Sequence, residues 1–289
     1  MSLDFLLKSF SDEDQKPKKK KNKDEVSLAG VLQRQRLRLN KKLKPRPQSH
    51  SFSPSTITYN LCPRAKIAQL AGKATLYNDI PTPKLRFRFD LGHAIHEIIQ
   101  NYYWDCGMLE GTFYCSRCDE EFWARSPWTC SKCLYGKRKD LKFKEVVLKD
   151  EKYRISGRCD GYVWVETGKN KEEKHIQDIK SIQNRLPSMP EQAWCFEDLD
   201  ERGPKPDHIA QLTLYMYISG VHHGHLLYVS TNSQQIKSFY VPYDEAVIQP
   251  YLDEISSIID TAERWKSGEQ IELPAPCSKK DCPCEEIVV

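Results

Sequence analysis

The sequence predicts an α/β protein in which helices flank a small mixed sheet, behind a basic N-terminal arm. Three observations predict it. From about residue 53 onward, runs with helical spacing alternate with short apolar, strand-like runs, the pattern of a layered α/β domain. The charge is divided: the 289-residue chain carries +4, but residues 1–50 hold 14 Lys/Arg against 6 Asp/Glu, and the rest of the chain is slightly acidic. No stretch of about 18 apolar residues occurs, so no membrane-spanning helix is expected. The acidic body, about 240 residues, is long enough for one large domain or two small ones.

The elements follow in order. Leu3, Phe5, Leu6, Leu7 and Phe10 form a short apolar patch at the start of the arm. The charged stretch 11–25, with Lys18-Lys19-Lys20-Lys21, cannot bury enough apolar surface to order itself and is expected to be disordered. Residues 28–44 mix Leu28, Val31, Leu32, Leu39 and Leu43 with Arg34, Arg36, Arg38, Lys41 and Lys42, which predicts a basic amphipathic helix ended by Pro45 and Pro47. The globular body is expected to open at Ser53-Pro54-Ser55, with a helix over 56–71 and Ser55 as its N-cap. A second helix is expected over 91–105, with Leu91, Ile95, Ile98 and Tyr102 as its apolar face. Strands are expected over 144–149, 153–158, 161–166 and 175–179. Residues 184–206, rich in Pro, predict a loop. A helix over 207–219, strands over 225–230 and 236–241, and a long helix over 243–266 complete the body. The last is expected to bury Val247, Tyr251, Ile255, Ile258, Ile259 and Ala262.

Eleven cysteines without a secretory segment point to metal rather than disulfides, in a reducing cytoplasm. Cys115-Ser116-Arg117-Cys118 and Cys130-Ser131-Lys132-Cys133 are two C-x-x-C knuckles, which together supply a tetrahedral set of four thiolates for zinc. The segment 111–138 is too short for a core of its own and is expected to be a zinc-ribbon insertion held by that ion. Arg117, Arg125, Lys132, Lys137, Arg138 and Lys139 give it either a phosphate-touching face or a merely solvated one. Cys106, Cys159 and Cys195 are expected to be ordinary buried thiols.

The chemistry-bearing region is Gly157-Arg158-Cys159-Asp160, followed by Asp178-Ile179-Lys180. An acid opens one apolar strand after a Gly that permits close approach. A second acid sits in a later strand, with Asp178 and Lys180 on the same face by period-2 alternation. Two carboxylates at one sheet edge suit a hard divalent cation, Mg²⁺ or Mn²⁺. A nearby Lys stabilises an attacking hydroxide and the developing phosphoryl charge. Alone, D-x-K is weak, because Asp160 and Asp178 also read as turn and edge residues.

Four segments in order strengthen it: Ser55-Thr56-Ile57-Thr58-Tyr59-Asn60-Leu61-Cys62-Pro63-Arg64, then Gly92-His93-Ala94-Ile95-His96, the Asp160/Asp178/Lys180 core, and Gln211-Leu212-Thr213-Leu214-Tyr215. Together they resemble the PD-(D/E)XK nucleases, and within them the RecB-like branch that includes CRISPR-associated and phage exonucleases. The resemblance runs from about residue 53 to the end and implies a restriction-endonuclease-like core. It implies His96, Asp160 and Asp178 as metal ligands, with the Ile179 backbone carbonyl, and Lys180 as the group that positions and activates the water. Gln211 and Tyr215, one helical turn apart, would face the active site or the DNA backbone. Glu145 is an additional acid near the site or a surface strand residue. Many relatives join an early Cys to three C-terminal ones around an iron–sulfur cluster, and Cys62 with Cys277, Cys282 and Cys284 fits that outline. The C-x₄-C-x-C spacing departs from the family's wider final gap, so a zinc ion or a frayed tail also stands.

The expected function is metal-dependent hydrolysis of DNA phosphodiester bonds, by an exonuclease on single strands or ends. It would serve recombination, repair or replication in a prokaryotic or phage-infected cell. The alternatives are a structure-specific endonuclease, or a zinc-ribbon nucleic-acid-binding protein with an inactive nuclease fold. No Walker A motif occurs, so any motor would be a partner. The arm, 1–50, offers a docking segment for a replication or recombination protein, and 51–289 would be the nuclease domain.

Overall fold

The computed structural model describes residues 28–59, 61–169, 171–190, 193–278 and 282–287. The apolar patch at residues 3–10 and the lysine run at 18–21 lie outside them. The chain divides into two compact units, residues 1–45 with 79–89, and residues 46–78 with 90–289.

In the first unit the expected basic helix is α1 (Leu28–Lys41). It stops four residues ahead of Pro45, in a turn where Leu43 N–H donates to Asn40 O. Leu28, Leu32, Leu37 and Leu39 are exposed. Arg36 donates to Pro83 O at 2.6 Å and lies over the Phe87 ring.

In the second unit, the single helix expected over 56–71 is two: α2 (Pro54–Tyr59) and α3 (Pro63–Leu70). Pro63 lacks an N–H and restricts Cys62 to an extended conformation, so a new helix starts there. The cap of α2 is Ser53, not Ser55: its Oγ accepts the Thr56 N–H at 3.2 Å. The helix expected over 91–105 is the second part of α4 (Pro83–Asp105), whose residues from 90 on belong to this unit. Its buried face is Ile99, Gln100 and Trp104, whereas Ile98 and Tyr102 are exposed. The sequence spacing allowed either face. The partners decide, because Ile99 packs with Ile179, Leu227 and Val229 of the sheet.

The strands are β1 (Leu109–Cys115), β2 (Glu120–Arg125), β3 (Leu141–Lys144), β4 (Val146–Asp150), β5 (Ile155–Cys159), β6 (Tyr162–Gly168), β7 (Lys171–Ile182), β8 (His223–Ser230) and β9 (Ile236–Pro242). The main mixed sheet runs β2-β1-β6-β7-β8-β9, with β3 also on β1. Only β7–β8 is parallel among the described pairs. The cysteine-bearing stretch is therefore no detached lobe: β1 joins β6 at Leu109–Glu110 and β3 at Thr112–Cys115. It also shares a small core with Trp104 of α4, through Phe113, Phe122 and Leu141.

The strand expected over 144–149 is broken at Glu145. The chain leaves β3 in the main sheet there and enters β4, which pairs with β5 in a second, two-stranded sheet. The expected loop at 184–206 contains α5 (Asp198–Arg202), anchored by buried Leu199 and an Arg185–Asp198 ion pair at 2.6 Å. Next comes α6 (Pro206–Ser219), which packs Leu212 and Met216 against Ile176, Leu226 and Tyr228. Burying a side chain of this kind contributes about 1.5–3 kcal/mol.

The last helix, α7 (Glu245–Lys266), is capped by Asp244, whose side chain accepts the Ala246 N–H at 3.0 Å. It buries Ile248, Leu252, Ile255, Ile258, Ala262 and Trp265; Val247, Tyr251 and Ile259 flank that stripe. The same core takes in Ala65, Ile67 and Ala68 of α3, and Ile271, Leu273, Cys284 and Ile287 of the tail. Arg64 fastens the tail by donating to the carbonyls of Cys284, Pro274 and Ile287. Cys159 and Cys195 are buried as expected, but Cys106, just past the end of α4, is exposed. Among the described residues no helix is long and apolar enough to cross a membrane.

Candidate active site

The sheet's register brings the two acids together. In the antiparallel β6–β7 pair, Tyr162 faces Ile176, so the residue two before β6, Asp160, comes level with Asp178. Both are 5% exposed. Asp160 is held on every side. Its Oδ2 accepts the Ile179 backbone N–H at 2.6 Å, and its carbonyl accepts Gln100 Nε2 at 3.1 Å and Gln177 Nε2 at 3.3 Å. Its Oδ1 lies 2.9 Å from His96 Nδ1. Gly157, at the start of the motif, is a close-approach position. A Cβ there would come within 2.7 Å of Pro54 and 3.0 Å of the Tyr215 ring.

On the face of β7 turned to α6, Lys180 Nζ lies 2.8 Å from Asp178 Oδ2 and donates to Gln211 Oε1 at 2.9 Å. Gln211 in turn donates from Nε2 to the Tyr215 hydroxyl at 3.3 Å. Side-chain oxygens of Glu145 and Asp160 and a ring nitrogen of His96 all lie within 4.8 Å of one another. The break at Glu145 thus turns a carboxylate into the site. Of the residues singled out in the sequence, His96, Glu145 and Asp160 form one group and Asp178, Lys180, Gln211 and Tyr215 an adjoining chain. The contact made by Ile179 is through its N–H.

The electrostatics match a cation site. Burial raises the Asp178 carboxyl to about 6, opposed by Lys180 and reinforced by Asp160. Burial and the Asp160 charge raise Glu145, against His96 and Arg158. Burial works against a charge on His96, but the hydrogen bond and charge of Asp160, with Asp178 and Glu145, raise it overall. Three acids crowd one imidazole, and each pKa moves toward holding positive charge there. One N, several carboxylate oxygens and an accessible rim suit Mg²⁺ or Mn²⁺.

Three residues here escaped the sequence reading. Gln100 lies one helical turn after His96, a spacing that could have marked it. Gln177 braces the same carbonyl from β7. His208, on α6, bonds through Nδ1 to Tyr228 OH at 2.8 Å and is pushed down to about 3 by burial, with Lys180 and Lys205 adding to it.

The eight metal-type cysteines fall into two groups of four, each with all sulfurs within 4.8 Å of one another. In the first, Cys115–Cys133 and Cys118–Cys130 are 4.0 and 3.7 Å apart. A tetrahedral ion with Zn–S bonds near 2.3 Å sets its sulfurs about 3.8 Å apart, so the group fits one zinc. The two knuckles repeat one geometry. Asp119 and Leu134, one residue past each knuckle, have φ of 60° and 61° and donate their N–H groups to Cys115 O and Cys130 O. Backbone N–H groups of Gly136 and Tyr135 lower the Cys133 thiol to about 7.

In the second group Cys62 meets Cys277, Cys282 and Cys284, with Cys277 and Cys284 3.6 Å apart. That spacing fits a single tetrahedral ion. An iron–sulfur cube, which interposes four irons, holds its thiolates farther apart. The basic face expected on the ribbon is partly used up within the fold. Arg125 pairs with Glu172, Arg138 with Asp105 and the Trp104 ring, and Arg117 with Asp140. Lys132, Lys137 and Lys139 are exposed.

No family model matches the chain, and no curated protein matches it. Among solved structures it is similar to the alkaline exonuclease LHK-Exo of Laribacter hongkongensis, at 12% identity and a TM-score of 0.43, over 76% of this chain and 91% of that one. The same protein in complex with dAMP gives 14% and 0.44 over the same shares, 76% and 91%. A phage-related exonuclease from Haemophilus somnus gives 15% and 0.29, over 43% of this chain and 61% of that one. Likeness at these values carries no argument about this chain's activity, which rests on its own residues.

Proposed function

We propose that the chain is a metal-dependent DNA nuclease of the PD-(D/E)XK type, with a restriction-endonuclease-like core, acting as an exonuclease on single strands or DNA ends. The observation that supports this most is the continuous set His96–Glu145–Asp160 beside Asp178–Lys180–Gln211. In it a cation-seeking acid group adjoins an ammonium whose position is fixed by a neutral amide.

His96, Asp160 and Asp178 would hold Mg²⁺ or Mn²⁺, with Glu145 beside them and the Ile179 carbonyl as a backbone ligand. When bound, the ion supplies Lewis-acid polarisation of the scissile phosphate and its attacking water. The chain's own groups do the rest. Asp160, braced by the Ile179 N–H, Gln100 and Gln177, is kept in one orientation. Lys180 spends one N–H on Gln211 and points its charge at Asp178, which leaves a donor to orient the water or a phosphoryl oxygen. Tyr215 holds the Gln211 amide so that its Oε1 stays on Lys180. The Cys115 group would hold a structural zinc and the Cys62 group a second tetrahedral ion. The arm would dock a replication or recombination partner in a prokaryotic or phage-infected cell.

The test is digestion of end-labelled linear DNA, single- and double-stranded, beside circular single-stranded DNA, in Mg²⁺ and in Mn²⁺. Metal-dependent loss of linear DNA with intact circles is expected, and Asp160→Ala is expected to be inactive. Cleavage of the circles would favour a structure-specific endonuclease. Tight DNA binding without any cleavage would favour an inactive nuclease fold.

A further inference from the structure

On the sheet face opposite Asp178 and Lys180, β7 and β8 gather groups that the proposed reaction does not use. Glu173 and His175 share that face of β7 with Ile179, and His223 and His225 share that face of β8 with Leu227. A carboxylate oxygen of Glu173 and ring nitrogens of His175 and His223 lie within 4.8 Å of one another. The His175 ring stacks between its neighbours, 5.0 Å from His223 and 4.9 Å from His225, centroid to centroid.

The arrangement leaves ligand atoms turned inward without partners. His175 is 4% exposed, yet neither of its ring nitrogens has a hydrogen-bond partner; His225 Nε2 also has none. Glu173 Oε2 lies 3.9 Å from His175 Nε2, beyond hydrogen-bond reach, while Lys171 occupies Oε1 at 2.8 Å. His223 Nδ1 is 2.7 Å from the Tyr240 hydroxyl. With its proton on Nδ1, His223 donates there and keeps the Nε2 lone pair free, the outer contact that fixes the tautomer of a ligating histidine. Buried polar atoms are ordinarily satisfied, and a cation is one partner that would satisfy several imidazole nitrogens and a carboxylate at once. Two nitrogen donors with a single carboxylate favour a borderline transition ion over Mg²⁺ or Ca²⁺, whose sites are dominated by oxygen. Tyr240 is 52% exposed, so the cluster reaches solvent on that side.

We propose that Glu173, His175 and His223 bind a zinc-type divalent transition ion, with His225 adjacent, on the sheet face opposite the side chains of Asp178 and Lys180. The ion clips β7 to β8, the one parallel pair among the described strands, and so steadies the strand that carries Asp178 and Lys180.

The experiment uses the purified full chain with its cysteine groups metal-loaded, in millimolar Mg²⁺ to occupy the carboxylate site. Zn²⁺ is titrated in competition with a chromophoric chelator, and melting is followed with and without Zn²⁺. Wild type is expected to take up one equivalent more than His223→Ala or Glu173→Gln, or to bind it at least about tenfold more tightly. Zn²⁺ is expected to raise the melting temperature of wild type alone. Both variants lie at the half-exposed rim, so they keep the test valid if His175→Gln fails to fold. Equal uptake and equal melting shifts in wild type and both rim variants would overturn the proposal. The readouts do not depend on cleavage, so they stand apart from the nuclease assignment.

Discussion

At the residue scale, Asp178 is the most informative group. Burial raises its carboxyl to about 6, against about 3.9 in an unfolded chain. Between those values the folded protein holds the extra proton, so ionising Asp178 costs stability above pH 6, and that cost fades as pH falls through 6. The strand nonetheless keeps a buried acid, which is the mark of a group retained for binding rather than for folding. Asp178→Asn is therefore expected to raise the metal-free melting temperature by a few degrees at pH 8, by roughly half as much at pH 5, and to abolish cleavage. A melting scan at both pH values checks the sign. Cleavage by wild type is expected to fall as pH drops through about 6, because the protonated carboxyl no longer holds a cation. The shared face of Asp178 and Lys180 was legible in the sequence from period-2 alternation, and the two side chains do meet, at 2.8 Å. The bracing amides Gln100 and Gln177 were not legible, because nothing local distinguishes a Gln that meets a carbonyl from a solvated one.

At the element scale, the sequence reading succeeded where periodicity was strong and erred where partners decide. The helices over 207–219 and 243–266 start within two residues of their expected positions. By contrast, α4 buries Ile99 and Trp104 rather than Ile98 and Tyr102, since a sheet and a cysteine ribbon chose its face. The break at Glu145 was hidden because an apolar run does not reveal that the chain passes from one sheet to another there. In the ribbon, Gly136 carries a specific expectation. A Cβ there would lie 2.5 Å from Cys115 Sγ and 3.1 Å from Cys130 Cβ, inside the ligand set. Gly136→Ala is expected to cut metal content by one equivalent and to expose Cys115 and Cys130 to thiol reagents. Gly168→Ala, which meets nothing within 4 Å, is expected to do neither.

At the scale of the whole molecule, the division of charge gains a physical boundary. The expected arm ended at residue 50, but residues 46–50 belong to the second unit. There Gln48 N–H donates to Leu76 O, and Lys66 Nζ donates to the carbonyls of Ser49 and Ser51. Removal of residues 1–45 leaves the second unit whole and takes from the first all but residues 79–89. It is expected to weaken DNA binding, most at low salt, while leaving the turnover of bound DNA nearly unchanged. A filter-binding salt titration beside single-turnover kinetics separates the two. The central claim rests on the ammonium that Asp178 and Gln211 hold at the sheet edge. The most direct measurement is single-turnover cleavage of end-labelled linear DNA in Mn²⁺ by wild type and Lys180→Ala, with melting curves to establish that both are folded. Metal-dependent cleavage by wild type and a loss of at least about a hundredfold in the variant are expected. A folded Lys180→Ala protein that cleaves at the wild-type rate would contradict the claim.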